Sequence, residues 1–159
     1  MKKIVTLIPS ASEIVSFLGE ESSIVGRSHE CDFPKALTNI VSLTSPKLDV
    51  GGSSKEIHDQ IEKILSNSLS VYKVDIEKLK YLNPDYVITQ AQCEVCAVSL
   101  SDVEKIISKY LSKNTKIISL QPNTILEVFD DIKRVASGLN LDQKKSEDLI
   151  FILKKRLEE

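Results

Sequence analysis

Ile4-Val5-Thr6-Leu7-Ile8-Pro9-Ser10-Ala11-Ser12-Glu13-Ile14-Val15 carries the reading of the fold. Ile4 to Ile8 is an apolar, β-branched run that suits a buried strand, and Pro9, with no backbone N–H to give a sheet, stops it. Ser10 and Ser12 then offer N-caps, with Glu13 in the first turn, to a helix carrying Ile14, Val15, Phe17 and Leu18 and ended by Gly19.

The alternation continues outward from that stretch. Strands are expected at Ser23 to Arg27, Asn39 to Leu43, Leu69 to Val74, Tyr86 to Thr89 and Lys116 to Leu120. Between them Ile57, Ile61, Ile64 and Leu65 recur at helical spacing, Ile76, Leu79 and Leu82 form a short helix before Pro84, and Leu100, Val103, Ile106, Ile107, Tyr110 and Leu111 form another apolar stripe. Thr124 to Leu139 and a charged segment from Asp142 to the end complete the pattern with two more helices. Alternating helix and strand implies an α/β fold, a Rossmann-like parallel sheet with helices on both faces. Tyr72, Tyr81, Tyr86 and Tyr110 follow this patterning and are expected in the core, whereas His58 falls on the polar side of its helix and is expected to be exposed.

At 159 residues, 42% of them hydrophobic, the chain suffices for one domain with its own core. The balance of 21 basic and 23 acidic residues, with the lysines scattered among acids, argues against a nucleic-acid partner. Lys2 and Lys3 precede an apolar stretch that Pro9 breaks too early for a secretory signal or a membrane span, so the sequence as written implies a cytoplasmic location. Three cysteines cannot all pair, and a cytosolic chain keeps them reduced. No G-x-G-x-x-G, Walker loop or ordered nucleophile–base–acid set occurs, so no catalytic residues are assigned.

Two segments concentrate the chemistry: Gly26-Arg27-Ser28-His29-Glu30-Cys31-Asp32-Phe33-Pro34 and Thr89-Gln90-Ala91-Gln92-Cys93-Glu94-Val95-Cys96-Ala97-Val98. Each follows an expected strand, and loops that follow parallel strands emerge together at the carboxyl edge, where α/β sheets bind ligands. The Pro9-Ser10-Ala11-Ser12 turn places backbone N–H groups and two hydroxyls at a helix N-terminus, a setting suited to a phosphate, carboxylate or amide; ordinary helix capping is the alternative use. His29, Cys31, Cys93 and Cys96 are a donor set soft enough for zinc, and Cys93 and Cys96 near a helix start would suit a redox pair; packing along a cleft is the third reading. Arg27, Glu30, Asp32 and Glu94 are expected to hydrogen-bond a polar ligand edge or to pair with one another.

Residues 4 to 15, 25 to 34 and 89 to 98 together resemble the cobalamin-binding proteins, relatives of the substrate-binding proteins of ABC-type importers for vitamin B12, iron-siderophore and haem. The resemblance runs through essentially the whole chain. It implies two Rossmann-like lobes joined by a long helix, with the ligand in the cleft between them. Residues 1–140 would then be the N-terminal lobe and 141–159 the start of the interlobe helix, the second lobe being absent from this chain. By the same resemblance the protein is a non-enzymatic binder of a cobalamin-like corrinoid, served by an importer permease and located in the periplasm if an export signal has been removed. Pro9, Ser10, Ala11, Ser12, Arg27, His29, Glu30, Cys31, Asp32, Gln90, Gln92, Cys93 and Glu94 would line its ligand site, with His29 or a thiol facing the corrinoid metal as one variant. A cytosolic metal or thiol redox module built on His29, Cys31, Cys93 and Cys96 is the alternative. A further expectation is that the last helix, with no C-cap, exposes Leu149, Ile150, Leu153 and Leu157 for a homodimer.

Overall fold

The computed structural model describes residues 1–47, 51–67, 72–91, 100–112 and 114–158. In chain order its elements are β1 (Ile4–Thr6), α1 (Pro9–Val15), β2 (Ile24–Arg27), β3 (Thr44–Pro46), α2 (Ser54–Asn67), β4 (Tyr72–Val74), α3 (Ile76–Leu82), β5 (Tyr86–Gln90), α4 (Leu100–Tyr110), β6 (Lys116–Leu120), α5 (Ile125–Gly138) and α6 (Gln143–Glu158). Four strands form a parallel sheet in the order β2-β1-β5-β6, while β3 and β4 form a separate antiparallel pair.

Strand alternation divides the core into two halves. Ile4, Ile88, Ile118 and Leu120 point to one face and meet Val15 of α1, Ile132 and Val135 of α5, and Ile150 of α6. Val5 and Val87 point to the other, where Leu43, Leu79 of α3, and Val103 and Ile107 of α4 cover them. Both faces are thus dry, as a parallel sheet requires. Each such aliphatic side chain contributes about 1.5–3 kcal/mol by leaving water.

Local chemistry fixes the helix ends. Thr124 and Glu127 form a reciprocal capping box at α5, the Thr124 hydroxyl accepting from Glu127 N–H and the Glu127 carboxylate from Thr124 N–H at 3.0 Å. Asp75 caps α3 by accepting from Lys78 N–H, and Asn83 ends that helix in the left-handed region at φ 43°. After Val15 the chain continues through a π-helical turn, Ser16–Glu20, in which Gly19 adopts φ 83°.

Several expectations change. Strand β1 is shorter than the apolar run because Ile8 is already the N-cap of α1 and Pro9 its first residue. Ser10 and Ser12 consequently lie inside the helix and cap nothing, and the first turn of α1 holds no acid, Glu13 falling beyond it. Lys35–Asn39 is a 3-10 turn, and the strand expected at Asn39 to Leu43 is reduced to a single bridge between Ser42 and Arg27. The strand proper starts at Thr44 and pairs with Tyr72–Val74, so β4 belongs to the antiparallel ribbon, not to the parallel sheet. Tyr86 is buried as expected, but Tyr72 is half-buried, Tyr110 lies at the surface and Tyr81 is 89% exposed. His58 is exposed beside Glu62, at 3.6 Å.

The terminal helix is also partnered. α6 packs on α5, with Ile150 buried and Leu149 and Leu153 seated against the core, so only Leu157 of the expected stripe is exposed. Phe151 and Ile152 are the other exposed apolar residues of α6. Among the described residues no helix is long and apolar enough to cross a membrane.

Candidate functional site

The helix that follows β1 packs on one face of the sheet, and the helix that follows β5 packs on the other. β1 and β5 are neighbours whose following helices lie on opposite faces, which makes their carboxyl ends the topological switch point at which open α/β sheets form a ligand crevice. Thr6, Arg27, Gln90 and Leu120 mark that edge.

One wall of the crevice begins at Pro9. Its position at the start of α1 leaves Pro9 half-buried and Ser10 exposed, while Ala11 and Ser12 turn inward. Ser12 Oγ lies 2.6 Å from Thr6 Oγ1 and 2.9 Å from Cys31 Sγ, all three groups buried. Burial pushes the Cys31 thiol above its ordinary pKa, against the opposing pull of the Ser12 hydrogen bond, the Ser28 backbone contact and the Arg27 charge. Cys31 is therefore held as a thiol that fastens the loop after β2 onto α1.

The same loop is held from its other side by the ribbon. Thr44 Oγ1, on β3, accepts from His29 N–H at 2.9 Å and lies 2.6 Å from His29 Nδ1 and 3.0 Å from Ser28 Oγ. Tyr72, on β4, donates its hydroxyl to Glu30 at 2.6 Å and meets the His29 ring edge-on at 5.0 Å. Arg27 does not pair with a carboxylate among the described residues: its guanidinium donates to Ser28 O and Thr38 O, tying the loop to its own base. Among the described residues no ion pair joins Arg27, Glu30 and Asp32: backbone carbonyls take Arg27 and the Tyr72 hydroxyl takes Glu30. Beyond Cys31 the loop passes Asp32, exposed, and a cis Phe33-Pro34 bond, and Phe33 packs on Phe17 with ring centroids 6.2 Å apart.

His29, Glu30 and Ser10 are thus surface groups at the crevice, with Gln90 half-buried at the end of β5, while Ser12 and Cys31 support them from below. Gln92, Cys93, Glu94 and Cys96 lie outside the described residues. Among the described residues no three or more His, Cys, Asp or Glu side chains gather as a metal site. His29 and Cys31 in particular turn apart, one to Thr44 and the other to Ser12. A cavity of about 390 Å³ lies beside the ribbon, lined by Ser42, Ser45, Lys73, Asp75 and Lys78, and shares only Thr44 with these contacts. Sequence reasoning missed Ser28, Thr44 and Tyr72; Ser28 sits inside the Gly26–Pro34 segment, but nothing local marks the other two.

The fold defines one Rossmann-like α/β lobe with a topological switch point between β1 and β5. No protein-family model matches the sequence, nor does any curated protein. Solved structures do share the fold. A periplasmic heme-binding protein from Pseudomonas aeruginosa superposes with a TM-score of 0.68 at 18% identity, covering 99% of this chain and 44% of that one. The periplasmic vitamin B12-binding protein of Vibrio cholerae gives 0.67 at 17% identity, over 99% of this chain and 48% of that one. An ABC transporter substrate-binding protein from Listeria monocytogenes gives 0.64 at 17% identity, over 99% and 47%. The chain spans a little under half the length of these structures.

Proposed function

We propose that the chain is a non-enzymatic ligand-binding lobe for a cobalamin-like corrinoid, of the kind used by ABC importers. The observation that carries this reading is the topological switch point between β1 and β5, flanked by the Pro9 turn and by a His29–Asp32 loop pinned on two sides. The sequence resemblance at residues 25–34 and 89–98 supplies the ligand class, and the shared fold with heme-binding and vitamin B12-binding periplasmic proteins agrees with it.

In this reading residues 1–140 form the lobe and 141–159 begin the helix that leads to a second lobe. Pro9, Ser10, His29, Glu30 and Gln90 face the corrinoid, whose amide-fringed edge needs hydrogen-bond donors and acceptors in about equal number, while Ala11 packs beneath them. Arg27, Ser12 and Cys31 shape the loop, and Asp32, Gln92, Cys93 and Glu94 are assigned to the ligand site by the sequence resemblance alone. The partner is an importer permease, and the place of work is extracytoplasmic.

Titration with cyanocobalamin, cobinamide and haem, followed by visible absorption and calorimetry, tests the proposal. Binding of a corrinoid in preference to haem is the expected result. Haem binding without corrinoid binding would reassign the ligand, and inertness toward all three at millimolar concentration, for this chain and for a two-lobe protein containing it, would overturn the reading.

A further inference from the structure

The contacts around Thr44 decide where the proton of His29 sits. Thr44 Oγ1 has one hydrogen to give and two lone pairs to accept with. Three groups surround it: His29 N–H, which can only donate, Ser28 Oγ and His29 Nδ1. Ser28 Oγ in turn accepts from Glu30 N–H at 3.4 Å. Ser28 is 2% exposed and Thr44 is 7% exposed, so water is a poor substitute for a missing partner.

Two arrangements are conceivable for the neutral ring, and they differ by one hydrogen bond. With the proton on Nδ1, Thr44 accepts two N–H groups and must donate to Ser28. The Ser28 hydroxyl hydrogen is then left inside the protein with no acceptor among the described residues, an unfavourable state for a buried donor. With the proton on Nε2, Ser28 donates to Thr44, Thr44 donates to Nδ1, and every hydrogen in the cluster finds an acceptor. The second arrangement is the self-consistent one.

We propose that Ser28 and Thr44 hold His29 as its Nε2–H tautomer, so that His29 meets the ligand as a hydrogen-bond donor to an oxygen and not as a ligand to the metal. Ligation of a metal through Nε2 requires that nitrogen's lone pair, which the tautomer does not present, and Nδ1 is already committed to Thr44. His29 makes no Nε2 hydrogen bond among the described residues, and the ring is half-exposed at the crevice. The chemical class it takes is therefore an amide carbonyl or a carboxylate. This inference rests on the ligand-binding role proposed above, but its first test does not.

Imidazole nitrogen spectra of the ¹⁵N-labelled, ligand-free protein, at a pH where the rings are neutral, distinguish the two tautomers directly, with exposed His58 as internal comparison. The expected pattern is a protonated Nε2 and a hydrogen-bonded, unprotonated Nδ1 at His29; a protonated Nδ1 overturns the inference. The second test compares aquacobinamide, whose axial water a nitrogen ligand can displace, with dicyanocobinamide, whose axial positions are blocked. H29A should weaken both by the same factor, between about 2-fold and about 10-fold, and H29Q, which keeps an amide N–H, should recover part of the loss. A loss confined to the aqua form, or a shift of its corrin bands that H29A abolishes, overturns the inference. Failure of both corrinoids to bind counts against the proposed function alone, and the ligand-free spectrum then decides for His29.

Discussion

Ser12 Oγ and Cys31 Sγ lie 2.9 Å apart inside the protein, joining α1 to the loop after β2. The contact makes two separate stretches of sequence into one wall, because Ser12 also reaches back to Thr6 at the end of β1. S12A would leave the Thr6 hydroxyl and the Cys31 thiol buried without their shared partner. We expect a loss of about 1–3 kcal/mol in urea unfolding, and a smaller coupling when C31A is already present. Additive losses in the double mutant would show that the pair does not act as a unit.

Cys31 also sets an alkaline limit. Its folded pKa is raised by burial, so the unfolded chain releases the thiol proton at a lower pH than the folded one. The stabilising contribution is complete below the ordinary thiol pKa and is lost as pH rises through the folded value. Unfolding free energies measured across that range should therefore decline for the wild type and decline less for C31A. The same burial predicts that Cys31 reacts slowly with Ellman's reagent in the native state and at an ordinary rate in denaturant.

Gly26 is a packing glycine. A Cβ built there would stand 2.5 Å from Leu43 Cδ1 and 3.0 Å from Leu82 Cδ1, well inside contact distance. G26A should destabilise by about 1–3 kcal/mol in thermal or denaturant unfolding, because Leu43 is fully buried and has little room to yield. The displaced segment is the one that leads directly into His29, so the variant should also disturb that ring's proton resonances.

The last helix belongs to the lobe's core. Ile150 is 7% exposed against α5, whereas Leu157 is 62% exposed, so I150A should cost about 2–5 kcal/mol and L157A less than about 0.5 kcal/mol. Truncation after residue 141 should lower the melting temperature by exposing the α5 face, a result that calorimetry separates from any change in light scattering.

The parallel sheet was legible because its strands carry their own signature: Ile4–Thr6, Tyr86–Gln90 and Lys116–Leu120 are β-branched runs bounded by breakers, and Gly138 with Asn140 closes the α5 stripe. The ribbon was not, since Thr44-Ser45-Pro46 has neither an apolar alternation nor an unbroken supply of N–H donors. Ser10 and Ser12 were misread as caps for a related reason. Both have capping chemistry, but Pro9 moved the helix start upstream, and what remained for Ser12 was a buried partner in Cys31 that only the folded loop supplies. The candidate site followed the same division. His29 and Cys31 could be placed on an edge from topology, while their partners Thr44 and Ser12 depend on contacts across fifteen and nineteen residues.

The two-stranded ribbon has a kinetic consequence for any ligand that rests on this wall. Two short strands are marginal on their own, and among the described residues β3 and β4 reach the His29 loop through Thr44 and Tyr72. Opening of the ribbon would remove the loop's template, and the apparent affinity would scale with the fraction of molecules in which the ribbon is closed. Residues such as Ser45 and Lys73, paired across the ribbon, would then tune the apparent affinity from outside the site.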